Sequence, residues 1–180
     1  MLLPWILRRR RLRALALTPV TAIAALTPGT RARITGRVRR FEGPERQALT
    51  TLRTMPARAD DEAPFPATYT GRPCVFVASQ ARDARGLVVE ARQAGVRFVV
   101  TDATGAAVVD LRHVAVVDDL AEVAPRTGTF RMQERCFEWT IELDQQLTVL
   151  GVVAAPEPGL PTVTGSADAP ALVAAAPRLT

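Results

Sequence analysis

Alternation of apolar and polar residues is the dominant pattern of this chain from residue 31 onward. The segment R-A-R-I-T-G-R-V-R, residues 31–39, has Ala, Ile, Gly and Val at every second position and Arg or Thr between them. A period of two places the two sets of side chains on opposite faces of a strand. The pattern therefore predicts a half-buried strand whose outer face carries a row of four arginines, Arg31, Arg33, Arg37 and Arg39.

Other segments rich in β-branched residues and bounded by turn residues predict further strands. These segments are 72–80, 96–101, 106–111, 113–117 and 145–153. A hairpin is predicted over 81–90, and a tight turn with Asp102 and Gly105 joins two of the strands. An aspartate can accept bonds from the backbone two residues on, and glycine adopts positive φ without cost. Asp102 and Asp110 are both expected to serve this turn.

Three segments are less regular. Residues 129–143 fit a helical face as well as a strand, and the strand is favoured because period 2 holds without exception toward the end. Residues 41–66 are polar and proline-containing, which predicts a surface loop with one short helix near 46–55. Gly151 predicts a bulge or a close backbone approach, and 162–164 predicts an added edge strand.

Short strands separated by turn signals, with at most one or two short helices, predict an all-β protein. The main five fit a small OB-like Greek-key barrel. We divide the chain into a basic and apolar segment (1–17), a barrel domain (18–155) and a Pro- and Ala-rich segment (156–180). A length of 180 residues suits one domain with an ordinary core.

Positive charge is concentrated in the first third of the chain. All 23 basic side chains are arginine, and residues 1–58 hold thirteen of them against two glutamates, a net charge of +11, while the remainder carries −6. This asymmetry predicts an anionic partner near the N-terminus, either a membrane surface or a nucleic acid. A solvated basic arm without a partner is the alternative.

The N-terminal segment M-L-L-P-W-I-L is followed at once by an arginine cluster. Seven apolar residues cannot span a bilayer, which needs about 20. The favoured hypothesis is peripheral attachment at the cytoplasmic face of the inner membrane, with apolar side chains in the interface and arginines on anionic headgroups. A secretory signal and a frayed terminus are the alternatives. The predicted contact residues are Leu3, Trp5, Ile6, Arg8, Arg9, Arg10, Arg11 and Arg13.

The arginine row at 31–39 allows two interpretations. It could follow a phosphate backbone, since alternate residues are spaced roughly 6 to 7 Å apart along a strand. It could instead protect an edge strand from pairing with other chains. The second interpretation is favoured.

Catalytic and metal chemistry find little support in the sequence. Cys74, Cys136 and His113 are the only cysteines and histidine, and their spacing matches no zinc motif. A nucleophilic pair of Cys74 and His113 is not excluded by spacing, but nothing near Cys74 suggests a lowered pKa. A phosphate-binding loop with lysine cannot occur in a chain without lysine. We therefore expect no enzyme, cofactor or metal.

A single-stranded nucleic-acid binder is the alternative function. Such OB-type proteins combine a basic groove with aromatic stacking platforms. Aromatic residues make up only 5% of this chain. Phe76, Phe98, Phe137 and Trp139 are expected in the core, which leaves few platforms for bases.

Four runs of sequence together resemble a known family. They are T-P-V-T-A-I-A-A-L-T-P-G-T-R-A-R-I-T-G-R-V, T-G-R-P-C-V-F-V, F-V-V-T-D-A-T-G-A-A-V-V-D-L and Q-Q-L-T-V-L-G-V-V. Across Thr18 to Val173 the chain resembles the GIDE-type domain, also called the Beside-A-Membrane (BAM) domain. This domain is found in the membrane-anchored mitochondrial E3 ubiquitin ligase of animals, its plant relatives and many bacterial membrane proteins.

The resemblance implies a β-rich interaction module, held next to a bilayer, that binds a protein partner. In eukaryotic members a separate RING domain transfers ubiquitin. This sequence has too few cysteines and histidines for two RING zinc sites, so ubiquitin transfer is not expected. It also lacks the flanking transmembrane helices of the family. The Arg72, Pro73 and Cys74 positions and the Leu150–Gly151 pair match motif positions, which we interpret as framework.

Overall fold

The computed structural model describes residues 3–40, 65–110, 113–124, 135–154 and 159–176. Its chain divides into two units, each made of separated stretches. The barrel unit comprises residues 1–54, 97–118 and 144–180, and the insert unit comprises 55–96 and 119–143.

The barrel unit contains one helix, one 3₁₀ turn and seven of the described strands. Its elements are α1 (Leu3–Leu17), the 3₁₀ turn Ile23–Ala25, β1 (Arg31–Arg39), β6 (Phe98–Thr101), β7 (Ala106–Val109), β8 (Val114–Val116), β11 (Gln146–Ala154), β12 (Thr162–Thr164) and β13 (Ala171–Ala175). The insert unit contains β2 (Phe65–Pro66), β3 (Pro73–Cys74), β4 (Phe76–Arg82), β5 (Val88–Gly95), β9 (Ala121–Val123) and β10 (Arg135–Ile141).

Five strands of the barrel unit close into a ring. β1 pairs with β6, β6 with β7, β7 with β12, β12 with β11, and β11 returns to β1. The β7–β12 pair is parallel and the other four are antiparallel. β13 pairs with β11 outside the ring, and β8 pairs with β13. The prediction of a small all-β barrel is confirmed.

Alternation along the strands sets the interior of the barrel, as the sequence pattern predicted. On β1 the residues Ala32, Ile34 and Val38 are buried, while the arginines between them lie at or near the surface. Ile34 pairs with Val149 of β11, which is also fully buried. Because opposite residues of paired strands share a face, the apolar sets of both strands meet inside the ring.

Two glycines lie where a strand begins to pair with a further neighbour. Pairing of β1 with β6 begins next to Gly36, where a Cβ would lie 2.3 Å from the carbonyl oxygen of Thr101. β11 passes from β13 to β12 at Gly151, where a Cβ would lie 2.7 Å from the carbonyl oxygen of Thr164. The close approach predicted at Gly151 is therefore confirmed, and closure of so small a ring explains it.

The C-terminal part of the chain differs from its prediction. Residues 162–164 do form a strand, but β12 lies between β7 and β11 and not at an edge. β13 has no counterpart among the predicted strands, since Ala171–Ala175 is alanine-rich and alanine has low strand propensity. β9 (Ala121–Val123) was also not predicted. The loop and short helix predicted within 41–66 lie outside the described residues, except for β2.

In the insert unit, β5, β4, β10 and β9 form an antiparallel sheet in that order, and β2 pairs with β3. The strand preferred over a helix for 129–143 is confirmed over β10, and residues 129–134 lie outside the described residues. The predicted 81–90 hairpin is present as the β4–β5 turn, where Gly86 has φ of +79°. Glu138 on β10 is 4% exposed and accepts bonds from the N–H groups of Tyr69 (2.7 Å) and Thr70 (3.4 Å).

Candidate functional site

The segment predicted to contact a membrane forms α1, and one face of this helix packs on the sheet of the barrel unit. Leu15 is fully buried, and Leu12 and Ala14 are partly buried beside it. They pack on the outer surface of the β11–β13–β8 sheet, whose contributing residues are Ala115, Val117, Leu150, Leu172 and Ala174. The helix therefore has a fixed inner face and a fixed outer face.

Two arginines tie this helix to the barrel unit by hydrogen bonds. Arg8 Nε donates to the carbonyl oxygen of Val117 at 3.2 Å. Arg33 Nη1 donates to the carbonyl oxygens of Leu15 (2.9 Å) and Thr18 (3.1 Å) at the C-terminal end of α1. The last carbonyls of a helix lack partners within the helix and carry partial negative charge, so a guanidinium there stabilises the helix end.

The outer face of α1 combines arginines with apolar side chains. Arg9, Arg10 and Arg13 are exposed, while Arg8 and Arg11 are half-buried. Leu7 is 44% exposed and Leu17 is 70% exposed. We call Leu7, Arg9, Arg10, Arg13 and Leu17 the outer face of α1. It places charge beside apolar surface, as an interfacial helix requires.

The backbones of Leu3, Trp5 and Ile6 belong to α1. Their side chains lie outside the described part of the structure. Their insertion into an interface stays a prediction.

The edge-protection interpretation of the arginine row is wrong, because β1 is not an edge strand. β11 pairs along 31–37 and β6 along 37–39. The row is also divided in its contacts: Arg33 caps α1, and Arg39 forms an ion pair with Asp144. The other two arginines of the row, Arg31 and Arg37, are exposed.

Asp102 serves the β6–β7 turn as predicted. Its Oδ1 accepts bonds from the N–H groups of Thr104 (2.6 Å) and Gly105 (3.0 Å), and Oδ2 accepts from the N–H of Ile23 (3.0 Å). Burial by itself would raise the pKa of Asp102, but the bonds from Thr104, Ile23 and Gly105 lower it below the ordinary value. Asp102 of the β6–β7 turn thereby holds the first residue of the 3₁₀ turn Ile23–Ala25 in place.

Asp110 does not serve that turn, contrary to the prediction. It lies at the far end of β7, is 2% exposed and pairs with Arg97 Nη2 at 3.1 Å. Phe98 pairs with Val109 in the hairpin, which places Arg97 and Asp110 side by side at its open end. No local pattern indicates this ion pair, since a strand-end aspartate is usually exposed.

Cys74 and His113 belong to different units. Cys74 is fully buried, and its Sγ lies 3.4 Å from the carbonyl oxygen of Phe65. Burial, with smaller contributions from Glu138 and Glu142, raises the pKa of the Cys74 thiol to about 12. A nucleophilic cysteine needs the opposite shift, so this site disfavours Cys74 as a nucleophile.

The raised pKa of Cys74 predicts alkaline sensitivity. A thiol whose pKa is higher in the folded state stabilises the fold fully below its ordinary pKa, near 9, and this contribution is lost as the pH rises toward about 12. The free energy of unfolding should therefore fall between these values more steeply in the natural chain than in Cys74→Ala. Urea unfolding across this pH range measures the difference, and parallel curves for the two proteins would contradict the prediction.

Neither a metal cluster nor a spanning helix is found in what the structure describes. Within the described ranges, no group of three or more His, Cys, Asp or Glu side chains could hold a metal ion. Among the described residues, no helix is long and apolar enough to cross a membrane.

No protein-family model, curated protein or solved structure matches the chain. The likeness to the GIDE-type domain thus stays a prediction from the four sequence runs.

Proposed function

We propose that this chain is a non-catalytic interaction module of the GIDE type. It associates peripherally with an anionic membrane surface through the outer face of α1 and binds a protein partner with the rest of its surface. The observation that carries the proposal is the docking of α1. Leu15 fixes one side of the helix on the barrel unit, so Arg10 and Arg13 remain on the opposite, exposed side beside Leu17.

Charge and apolar contact act together in this proposal. Each arginine near an anionic surface contributes about 1 kcal/mol, and the contribution weakens with salt. Leu7 and Leu17 add apolar area that no described part of the barrel covers, since they are 44% and 70% exposed. A rigidly held helix loses little further conformational freedom on binding, which favours attachment by so few residues.

The barrel topology favours a second candidate, an OB-fold protein that binds single-stranded nucleic acid. Numbered by chain order, the ring runs 1-2-3-5-4 and returns to strand 1, with strands 3 and 5 parallel. A closed five-stranded ring is what an OB-type barrel requires, and strands 2 and 3 of such barrels commonly bind oligonucleotides. Here the outward Val99 and Val108 of those strands form a small aliphatic cluster with Leu160. An aliphatic surface offers no stacking platform, so this candidate ranks second.

Vesicle co-sedimentation tests the membrane proposal. The full chain should bind vesicles of equal parts phosphatidylcholine and phosphatidylglycerol, and not phosphatidylcholine alone. Arg10→Ser with Arg13→Ser should weaken binding about tenfold to thirtyfold, since each arginine contributes about 1 kcal/mol. The matched control is Arg31→Ser with Arg37→Ser, which removes the same charge from exposed positions on β1. Equal losses in both double variants would contradict a specific role for α1.

A second pair of variants separates the two candidates. Leu7→Ser with Leu17→Ser should reduce vesicle binding and leave the retardation of a single-stranded oligonucleotide unchanged. The nucleic-acid candidate would be favoured by two results together. The chain would bind an oligonucleotide at low salt, with weaker binding in both arginine double variants, and it would not bind vesicles.

A further inference from the structure

Strand β5 ends the sheet of the insert unit and is exposed along most of its length. Among the described strands it pairs only with β4. Leu87, Val88 and Val89 at its start are 58%, 52% and 54% exposed. Edge strands of natural proteins are usually short, covered or interrupted, because their free N–H and C=O groups pair readily with another strand. From Glu90 to Gly95 the strand pairs with β4 without a register shift, and this regular stretch of edge is therefore a candidate docking surface.

The backbone of β5 offers its outer hydrogen-bonding groups around Ala91. The N–H of Val96 donates to the carbonyl oxygen of Val75, on the β4 side of the sheet. Backbone groups in an antiparallel strand alternate between its two sides. Counting back from Val96, the groups of Ala91 and Gln93 point to the outer edge.

The side chains of β5 are complementary to themselves about the same residue. Glu90 and Arg92 flank Ala91 on one face of the strand. If a second copy of β5 pairs antiparallel with Ala91 opposite Ala91, Glu90 of each copy lies opposite Arg92 of the other. Opposite charges directly across an antiparallel pair are favourable, and like charges are unfavourable.

Side-chain size agrees with this register. The large residues Leu87 and Val88, which lie just before a register shift at Val89, would lie near the small residues Ala94 and Gly95 at the end of the second copy. The exposed apolar side chains would thus be covered where the partner strand is least bulky. An unrelated peptide would not be expected to match the charges and side-chain sizes of β5 about Ala91.

We propose that the outer edge of β5 binds the β5 strand of a second copy of this chain, forming a two-fold symmetric, continuous antiparallel sheet in the Ala91-centred register. Within one chain Arg92 and Glu90 already form an ion pair. In the dimer the four charges of the two copies alternate in sign across the axis. The proposal uses the insert unit alone and is independent of the membrane function assigned to α1.

Charge-reversal variants of the full chain test the proposal by sedimentation equilibrium. The natural chain should be a dimer. Arg92→Glu alone, or Glu90→Arg alone, places like charges at both cross-strand positions and should raise the dissociation constant on the order of tenfold or more. Mixing the two single variants restores opposite charges at both positions and should restore a heterodimer. Arg85→Glu, the same charge change at the exposed hairpin tip, should dimerise normally.

A cross-linking measurement tests the register. Ala91→Cys places two thiols opposite each other, within disulfide distance, and should give a covalent dimer on oxidation. Gln93→Cys places them four residues apart along the pair, about 13 Å, and should not. The buried Cys74 and Cys136 are present in both variants, so any cross-linking through them is the same in each.

Three results would overturn the proposal. They are a natural chain that is monomeric at every concentration, single charge variants that dimerise like the natural chain, and a dimer that Gln93→Cys cross-links better than Ala91→Cys. Because all of these variants leave α1 untouched, vesicle binding by the same proteins reports separately on the proposed membrane function.

Discussion

Replacing Asp110 with alanine is expected to lower the free energy of unfolding of the barrel unit by about 3–5 kcal/mol. Asp110 is 2% exposed, and its carboxylate pairs with Arg97, whose side chain is 25% exposed. Removing the carboxylate leaves a largely desolvated guanidinium without its partner, and the cost of that unpaired charge is greater than the net contribution of the ion pair itself.

Urea unfolding followed by circular dichroism measures this loss. Asp168→Ala is the matched control, because Asp168 is an exposed aspartate of the same unit and should change stability by less than about 0.5 kcal/mol. Asp110→Leu combined with Arg97→Met should recover much of the loss, since an apolar pair leaves no charge unpaired. A loss below about 1 kcal/mol in Asp110→Ala would contradict the role assigned to the ion pair.

Truncating Leu15 to alanine is expected to cost about 2–5 kcal/mol, the range measured for large-to-small changes in a packed interior. Leu15 is fully buried in a cluster with Val117, Leu150 and Leu172, so the change leaves a cavity between α1 and the sheet beneath it. A loss in the upper part of this range of unfolding free energy requires that α1 stay packed on the sheet. If the helix detached, no cavity would remain, and the surface of the sheet would be exposed instead.

Leu17→Ala is the control for this change. It makes the same truncation two residues further along the helix, at a side chain that is 70% exposed, and should leave stability nearly unchanged. Hydrogen exchange of the α1 amides distinguishes a cavity from release: protection falls selectively in α1 when the helix detaches. Equal stability losses for Leu15→Ala and Leu17→Ala would contradict the docking of α1.

The sequence predicted the strands best where the side-chain period was regular. β1 begins and ends at the predicted residues, and β6, its turn and β7 follow the prediction closely because Asp102 and Gly105 encode the turn locally. β13 was missed because its residues have weak strand propensity, and pairing with β11 and β8 decides its conformation. α1 was missed as a helix because its apolar residues form one run before and one run after a block of arginines, which gives no clear helical period.

The sequence predicted which residues make up the candidate site on α1, but not how they are arranged. Arginine clustering before residue 14 is plain in the sequence. That Arg8 and Arg33 are used within the fold, while Arg10 and Arg13 stay exposed, depends on which side of α1 meets the barrel unit. The buried carboxylates of Asp110 and Glu138 were equally hidden, because their partners come from other segments.

The order of apolar and polar residues by itself determined that this chain forms short strands around an aliphatic interior, since a period of two is a local property of each segment. Only the tertiary structure decided which strands are neighbours. Closure of the ring placed β1 between two partner strands, so its arginines do not protect the edge of a sheet. In the separate sheet of the insert unit β5 lies at an edge of the described strands, because pairing depends on contacts between segments distant in the chain.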